Sequence, residues 1–165
     1  MRLRSHWARE FQSGRYWLAT FDHQLDFLAS WLEPILDRPY LSPVPPEWLH
    51  LTLAAASDDD VRDRLASIAT VDALVGPVRV VDEGIVAGME PEDELQALFE
   101  AAGGRGTFWP HVAFAYARAE AEVEQLEANA SDAVLIDTVS LVDLRREGQQ
   151  YRWDVVETVR LASPA

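Results

Sequence analysis

Hydrophobic positions in this chain recur with two periods, and the switches between them divide it into strands and helices. An aromatic-rich run at 15–21 reads as a strand. Leu25, Leu28, Leu32 and Ile35 or Leu36 then follow the spacing of one buried helical face. Asp22 is the expected N-cap of that helix, Pro34 lies near its end and Pro39 stops it. Pro43, Pro45 and Pro46 predict a rigid, extended approach to a short apolar strand at 48–53. Ser57, with Asp58, Asp59 and Asp60 behind it, suggests a helix start, and Val61, Leu65 and Ile68 supply its apolar stripe. Strands at 77–82 and 85–89 are expected to join through Glu83-Gly84 as a tight hairpin. A helix at 92–102 should end at Gly103-Gly104. The remainder reads as a strand at 108–116, an acidic helix at 120–128, a long strand at 133–144, a polar turn at 145–150 and an antiparallel strand at 151–161. Residues 1–14 carry no clear period and are expected to be a mobile or loosely packed lead-in, with one bilobal domain over 15–165.

The order strand, helix, strand, strand occurs twice, and each copy opens on a histidine. Trp48-Leu49-His50-Leu51-Thr52-Leu53 begins the first and Trp109-Pro110-His111-Val112-Ala113-Phe114 the second. In a strand, residues i and i+2 project from one face, so His50 points with Thr52 and His111 with Ala113. Such a repeat predicts two similar α+β lobes with a groove between them, across which the imidazoles share one substrate. One histidine in an apolar strand ordinarily reads as a hydrogen-bonded core residue; two in matched contexts point to a common role. His6 and His23 lack that context and read as ordinary.

Composition narrows the function classes. The chain has 165 residues, 48% hydrophobic and 25% charged, as expected of one folded domain. It has no cysteine, which excludes disulfides, thiolate metal ligands and cysteine nucleophiles. Its formal net charge is −14. Long nucleic acids bind through phosphate neutralisation by basic surface, so duplex DNA and long RNA are poor partners, whereas a small anion held by a few groups is not. No apolar run suits a signal peptide or a bilayer span, so a cytoplasmic protein without a membrane partner is expected.

Elimination leaves acid–base chemistry. Zinc needs three or four ligands, and the sequence has no HxxxH, HxH or cysteine. There is no GxSxG elbow for an activated serine, and Gly103-Gly104-Arg105-Gly106 lacks the Lys-Ser/Thr of a phosphate loop. Two imidazoles titrating near neutrality can divide proton donation and acceptance, which suits phosphodiester hydrolysis.

His50-Leu51-Thr52-Leu53 resembles the HxTx motif of the 2H phosphoesterase superfamily, and His111-Val112-Ala113-Phe114 its second copy. The stretch from Val44 to Leu53, Pro110-His111 with Ala115-Tyr116, and Tyr151-Arg152-Trp153 are similar to the 2′-5′ RNA ligase branch. The resemblance, from about residue 15 onward, implies two pseudo-symmetric lobes of antiparallel strands with flanking helices around a central cleft. It also implies hydrolysis of a 2′,3′-cyclic phosphate or another small RNA-type phosphodiester without metal or cofactor, and a monomer is expected. Carried over, His50 protonates the leaving ribose oxygen, His111 activates water and Thr52 binds a phosphate oxygen. Tyr116, Trp48 and Tyr151 are possible substrate contacts, with Trp109 and Trp153 as further aromatics near the motifs; among Arg145, Arg146 and Arg152 none is singled out. The departure is Ala113, where the family has serine or threonine, and the segment between the motifs is short for the branch. Loss of one charge-stabilising donor costs roughly 10²–10³ in rate. The alternative is therefore a catalytically impaired module that binds a small nucleotide or phosphate.

Overall fold

The computed structural model describes residues 1–57 and 60–164. β1 (Arg2–Leu3) leads through a 3-10 turn at His6–Ala8 to β2 (Gly14–Thr20), α1 (Asp26–Leu36) and β3 (Leu41–Pro43). A second 3-10 turn at Pro46–Trp48 delivers the chain to β4 (His50–Ala55), which is followed by α2 (Arg62–Ser67), β5 (Val71–Val81), β6 (Gly84–Glu90) and α3 (Glu92–Ala101). Only strands follow: β7 (His111–Ala117), β8 (Ala121–Glu122), β9 (Glu127–Ala128), β10 (Asp132–Ile136), β11 (Thr138–Glu147) and β12 (Gln150–Arg160).

Two antiparallel sheets dominate. One has the order β12-β11-β2-β4; the other runs β10-β5-β6-β7-β3, with β9 also paired to β5. The first histidine thus opens the edge strand of the four-stranded sheet, and the second opens an inner strand of the larger one. Helix α1 packs on β3 and β7, α3 on β4, and α2 on β12 and α3. Leu28 and Leu32 of α1, Leu65 of α2 and Leu95 and Leu98 of α3 are fully buried, as their helical spacing predicts. They join residues of both sheets, such as Trp17, Leu51, Val112 and Phe114, in one continuous core. A smaller cluster of Leu18, Val142, Leu144 and Trp153 lies apart from that core, flanked by Phe11, Tyr16, Trp48 and Tyr151. Among the described residues no helix is long and apolar enough to cross a membrane.

Several sequence expectations need correction. The acidic stretch 120–128 is not a helix: β8 pairs with β1 and β9 with β5. Its Ala- and Glu-rich composition favours helix, but sheet edges left open by other strands take up its backbone groups. The long strand expected at 133–144 breaks at Asp137, with β10 in one sheet and β11 in the other; no glycine or proline marks the crossing. β5 begins six residues earlier than the expected 77, at Val71, and alternates in burial through Val75. α1 starts at Asp26, not at Asp22, because Asp132 reaches across from β10 and accepts the Leu28 N–H at 2.9 Å. Residues 1–14 are not loosely packed: Leu3 is 1% exposed and His6 8%. The helix start expected at Ser57 to Asp60 includes Asp58 and Asp59, which lie outside the described residues.

Gly84 shows how tightly β6 and β7 approach. A Cβ added there would run into the Ala115 carbonyl, whereas one at Gly14 would meet nothing within 4 Å. Gly84→Ala is therefore expected to lower the unfolding free energy by about 1–3 kcal/mol, while Gly14→Ala stays within about 0.5 kcal/mol of the parent. Urea unfolding of both variants measures the difference, and equal midpoints would contradict the packing.

Candidate functional site

The two sheets meet around a cleft of about 460 Å³. His50 and Thr52 line it from the four-stranded sheet, and His111 and Ala113 from the larger one. That volume lies within the usual range for small-ligand sites, about 300–1,000 Å³.

Matching local structure brings each histidine there. The 3-10 turn at Pro46–Trp48 hands over to β4 with Leu49 extended, so His50 opens the strand. His50 Nδ1 lies 2.9 Å from the Trp48 carbonyl oxygen, and His111 Nδ1 lies 2.9 Å from that of Trp109. A carbonyl only accepts, so Nδ1 is the N–H in both rings and each neutral imidazole keeps its lone pair on Nε2. Neither Nε2 has a partner among the described residues. The strands then bulge at the same motif position. Leu53, three residues after His50, is extra against β2, and Phe114, three after His111, is extra against β6. On β7 the bulge shifts the alternation, so Tyr116 faces the cleft while Phe114 enters the core.

Both rings also have aromatic and cationic backing. Trp109 stacks on His111 at 4.4 Å, with the Arg79 guanidinium 4.9 Å from the indole. Trp153 meets His50 edge-on at 5.0 Å, Trp48 packs on Trp153 at 4.7 Å, and Arg152 lies 4.6 Å from Trp48. Burial pushes the His50 pKa below its ordinary value; the Trp48 carbonyl opposes this, and charge at His111 adds to it.

Of the expected substrate contacts, Tyr116 and Tyr151 line the cleft, but Trp48 is not among its lining residues. Instead, Trp48 holds His50 with its carbonyl and packs behind it. Arg145 is taken up by Glu147 and Asp154. Arg146, which the sequence did not distinguish from its neighbours, does line the cleft.

The N-terminal segment supplies what the sequence missed. His6, Arg9, Glu10 and Phe11 all border the cleft. His6 stacks on Tyr116 at 4.4 Å, its Nδ1 is 3.0 Å from Glu83 Oε2, and its Nε2 is 2.6 Å from the Tyr151 hydroxyl. Arg146 donates to that hydroxyl from Nε at 3.3 Å and Nη2 at 3.0 Å, and to the Arg9 carbonyl from Nη1 at 2.9 Å. Burial lowers the His6 pKa, and with the ring neutral one assignment satisfies every group. Arg146 donates to Tyr151, Tyr151 O–H donates to His6 Nε2, and His6 Nδ1–H donates to Glu83. No local signal in residues 1–14 announces this chain, since its partners lie 77 and 145 positions away. Among the described residues no three His, Asp or Glu side chains converge as a metal ion would require.

No protein-family profile matches the sequence, and no curated protein is significantly similar to it. Solved structures match in fold. TT0787 of Thermus thermophilus aligns with a TM-score of 0.66 over 90% of this chain and 97% of its own, at 19% identity. E. coli LigT complexed with 3′-AMP aligns at 0.67 over 90% and 98%, with 13% identity. A phosphoesterase structure aligns at 0.64 over 92% and 99%, with 14% identity. The chain therefore has the LigT-like phosphoesterase fold, α+β with mostly antiparallel strands.

The electrostatics predict a pH signature. The His50 imidazole should titrate below about 6.5, the ordinary histidine value, and His111→Gln should raise its midpoint by removing the neighbouring charge. As the folded pKa is below the unfolded one, the unfolded chain binds more protons. His50 thus costs stability as pH falls through about 6.5. Imidazole NMR titration tests this, and a His50 midpoint at or above the ordinary value would contradict it.

Proposed function

We propose that this chain is a metal-independent phosphodiesterase of the 2H superfamily, acting on a 2′,3′-cyclic phosphate or another small RNA-type phosphodiester. The observation that carries the reading is the matched tether of His50 and His111, which leaves two Nε2 atoms bordering one cleft. A phosphate between them would meet one Nε2 as a base toward water and the other, protonated, as an acid toward the leaving ribose oxygen. The Thr52 hydroxyl, on the same face as His50, would donate to a non-bridging oxygen. The order implied by the family resemblance places the proton on His50, whereas burial and His111 favour the neutral ring there in the free protein. A phosphate anion bound beside His50 would favour its protonated form and so reopen that order.

The structures of E. coli LigT complexed with 3′-AMP, NADP+, ATP and phosphate support a small nucleotide as the ligand class. The net charge of −14 disfavours long RNA. Ala113 favours a second reading, a module that binds such a ligand with little turnover. It borders the cleft at the site equivalent to Thr52 and offers no donor.

Turnover of 2′,3′-cyclic nucleotides is expected to fall by about 10²–10⁴ in His50→Ala and in His111→Ala. Unchanged rates in both variants would remove the catalytic assignment. Ala113→Thr is expected to raise kcat by about 10² if the absent hydroxyl limits the rate. Tight binding of 3′-AMP without turnover in either the parent or Ala113→Thr would favour the binding module.

A further inference from the structure

We propose that Arg146 forms a second anion subsite at the far end of the cleft, so that the preferred ligand is a phosphodiester carrying an additional phosphate. The inference rests on the reading above only in assigning the first phosphate to the histidines.

The sheet registers separate the two ends. Gly88 lies opposite His111 and Gly84 opposite Tyr116, so the two ends are four steps apart along β6, or about 13 Å, with Phe114 bulged out of β7 between them. In the other sheet Thr52 is level with Leu18 and Leu18 with Ser140, leaving Arg146 six residues further along β11, or about 20 Å before strand twist. His6 stacks on Tyr116 and bonds Tyr151, which bonds Arg146, so this network occupies the end remote from the imidazoles. One phosphate spans two hydrogen-bond reaches, only about 6–8 Å in all, and cannot serve both ends. The stretch between is apolar, formed by Ala113, Ala115, Val86 and Leu144, and suits a sugar or base.

The guanidinium has donors to spare. Of its five N–H groups, two are given to the Tyr151 hydroxyl and one to the Arg9 carbonyl, leaving one on each terminal nitrogen. Such a pair can grip a phosphate bidentately. Arg9, by contrast, is already engaged by Glu83, and Arg146 makes no ion pair among the described residues. Trp7, Phe11 and Tyr151 pack around the group at 5.1, 4.9 and 5.4 Å, so it is held before any ligand arrives. Glu10 and Glu83 also border the cleft. Recognition must therefore come from the aimed fork and not from a general positive field.

Calorimetric titration of the whole protein with adenosine 3′-phosphates bearing zero, one or three phosphates at the 5′ position tests the proposal. Affinity should rise about 10- to 100-fold once the 5′ chain reaches the fork, the worth of a charge-assisted hydrogen-bond pair. That gain should vanish in Arg146→Gln and shrink in Arg146→Lys, which keeps the charge and loses the fork. Should Arg146→Gln fail to fold, the Lys variant decides alone. Equal affinity for all three ligands, or a gain retained in the folded variants, overturns the subsite. His50→Ala should weaken all three ligands alike. An affinity gain in a protein that fails to hydrolyse 2′,3′-cyclic nucleotides leaves the subsite standing while the phosphodiesterase reading falls.

Discussion

The hydrogen bond from each imidazole Nδ1–H to the carbonyl two residues before it is the constraint on which the site depends. It sets the tautomer, limits ring rotation and leaves Nε2 without a partner among the described residues, at His50 and His111 alike. It requires the histidine to be the first residue of its strand, just after a segment turned so that its carbonyl is not consumed by the sheet. The prolines ahead of each motif supply that approach, Pro45 and Pro46 in one case and Pro110 in the other. The bulge three residues on completes the unit, sending Leu53 and Phe114 into the core while their neighbours line the cleft. What the two halves share is thus a short backbone device, set in sheets of different strand number.

The symmetry is geometric and not chemical. One copy has Thr52 beside its histidine, the other Ala113. The half that lacks the hydroxyl also has Tyr116 turned into the cleft and the N-terminal segment packed over it. Further polar capacity comes from Arg146 and Tyr151 of the four-stranded sheet and from His6 of the N-terminal segment, all of which border the same cleft. The cleft is bordered by the paired imidazoles and by the Arg146 guanidinium, with small apolar residues such as Ala113 and Ala115 also in its lining.

Much of this architecture was legible in the sequence, for reasons that differ by element. Leu28, Leu32, Leu95 and Leu98 announced α1 and α3 because a buried helical face leaves a period. His50 and His111 announced themselves because their matched contexts mark the start of matched strands. The stretch 120–128 misled because its pairing partners, β1 and β5, lie far away in sequence, and local propensity cannot register an open sheet edge. His6 was passed over for the same reason: a histidine in an unpatterned segment acquires meaning only from Glu83, Tyr116 and Tyr151. The family resemblance, which starts near residue 15, could not help with residues before it.

The crossing at Asp137 limits how the two halves can move. β10 ends at Ile136 in one sheet and β11 begins at Thr138 in the other, while the Asp137 carbonyl accepts the Leu161 N–H. A single residue offers no slack, so the sheets cannot draw apart here without unzipping one of them. The molecule is stitched at this point much as a book is bound at its spine. A ligand entering the cleft would meet leaves whose spacing is set at the binding, and any adaptation to its size would fall to the side chains between them.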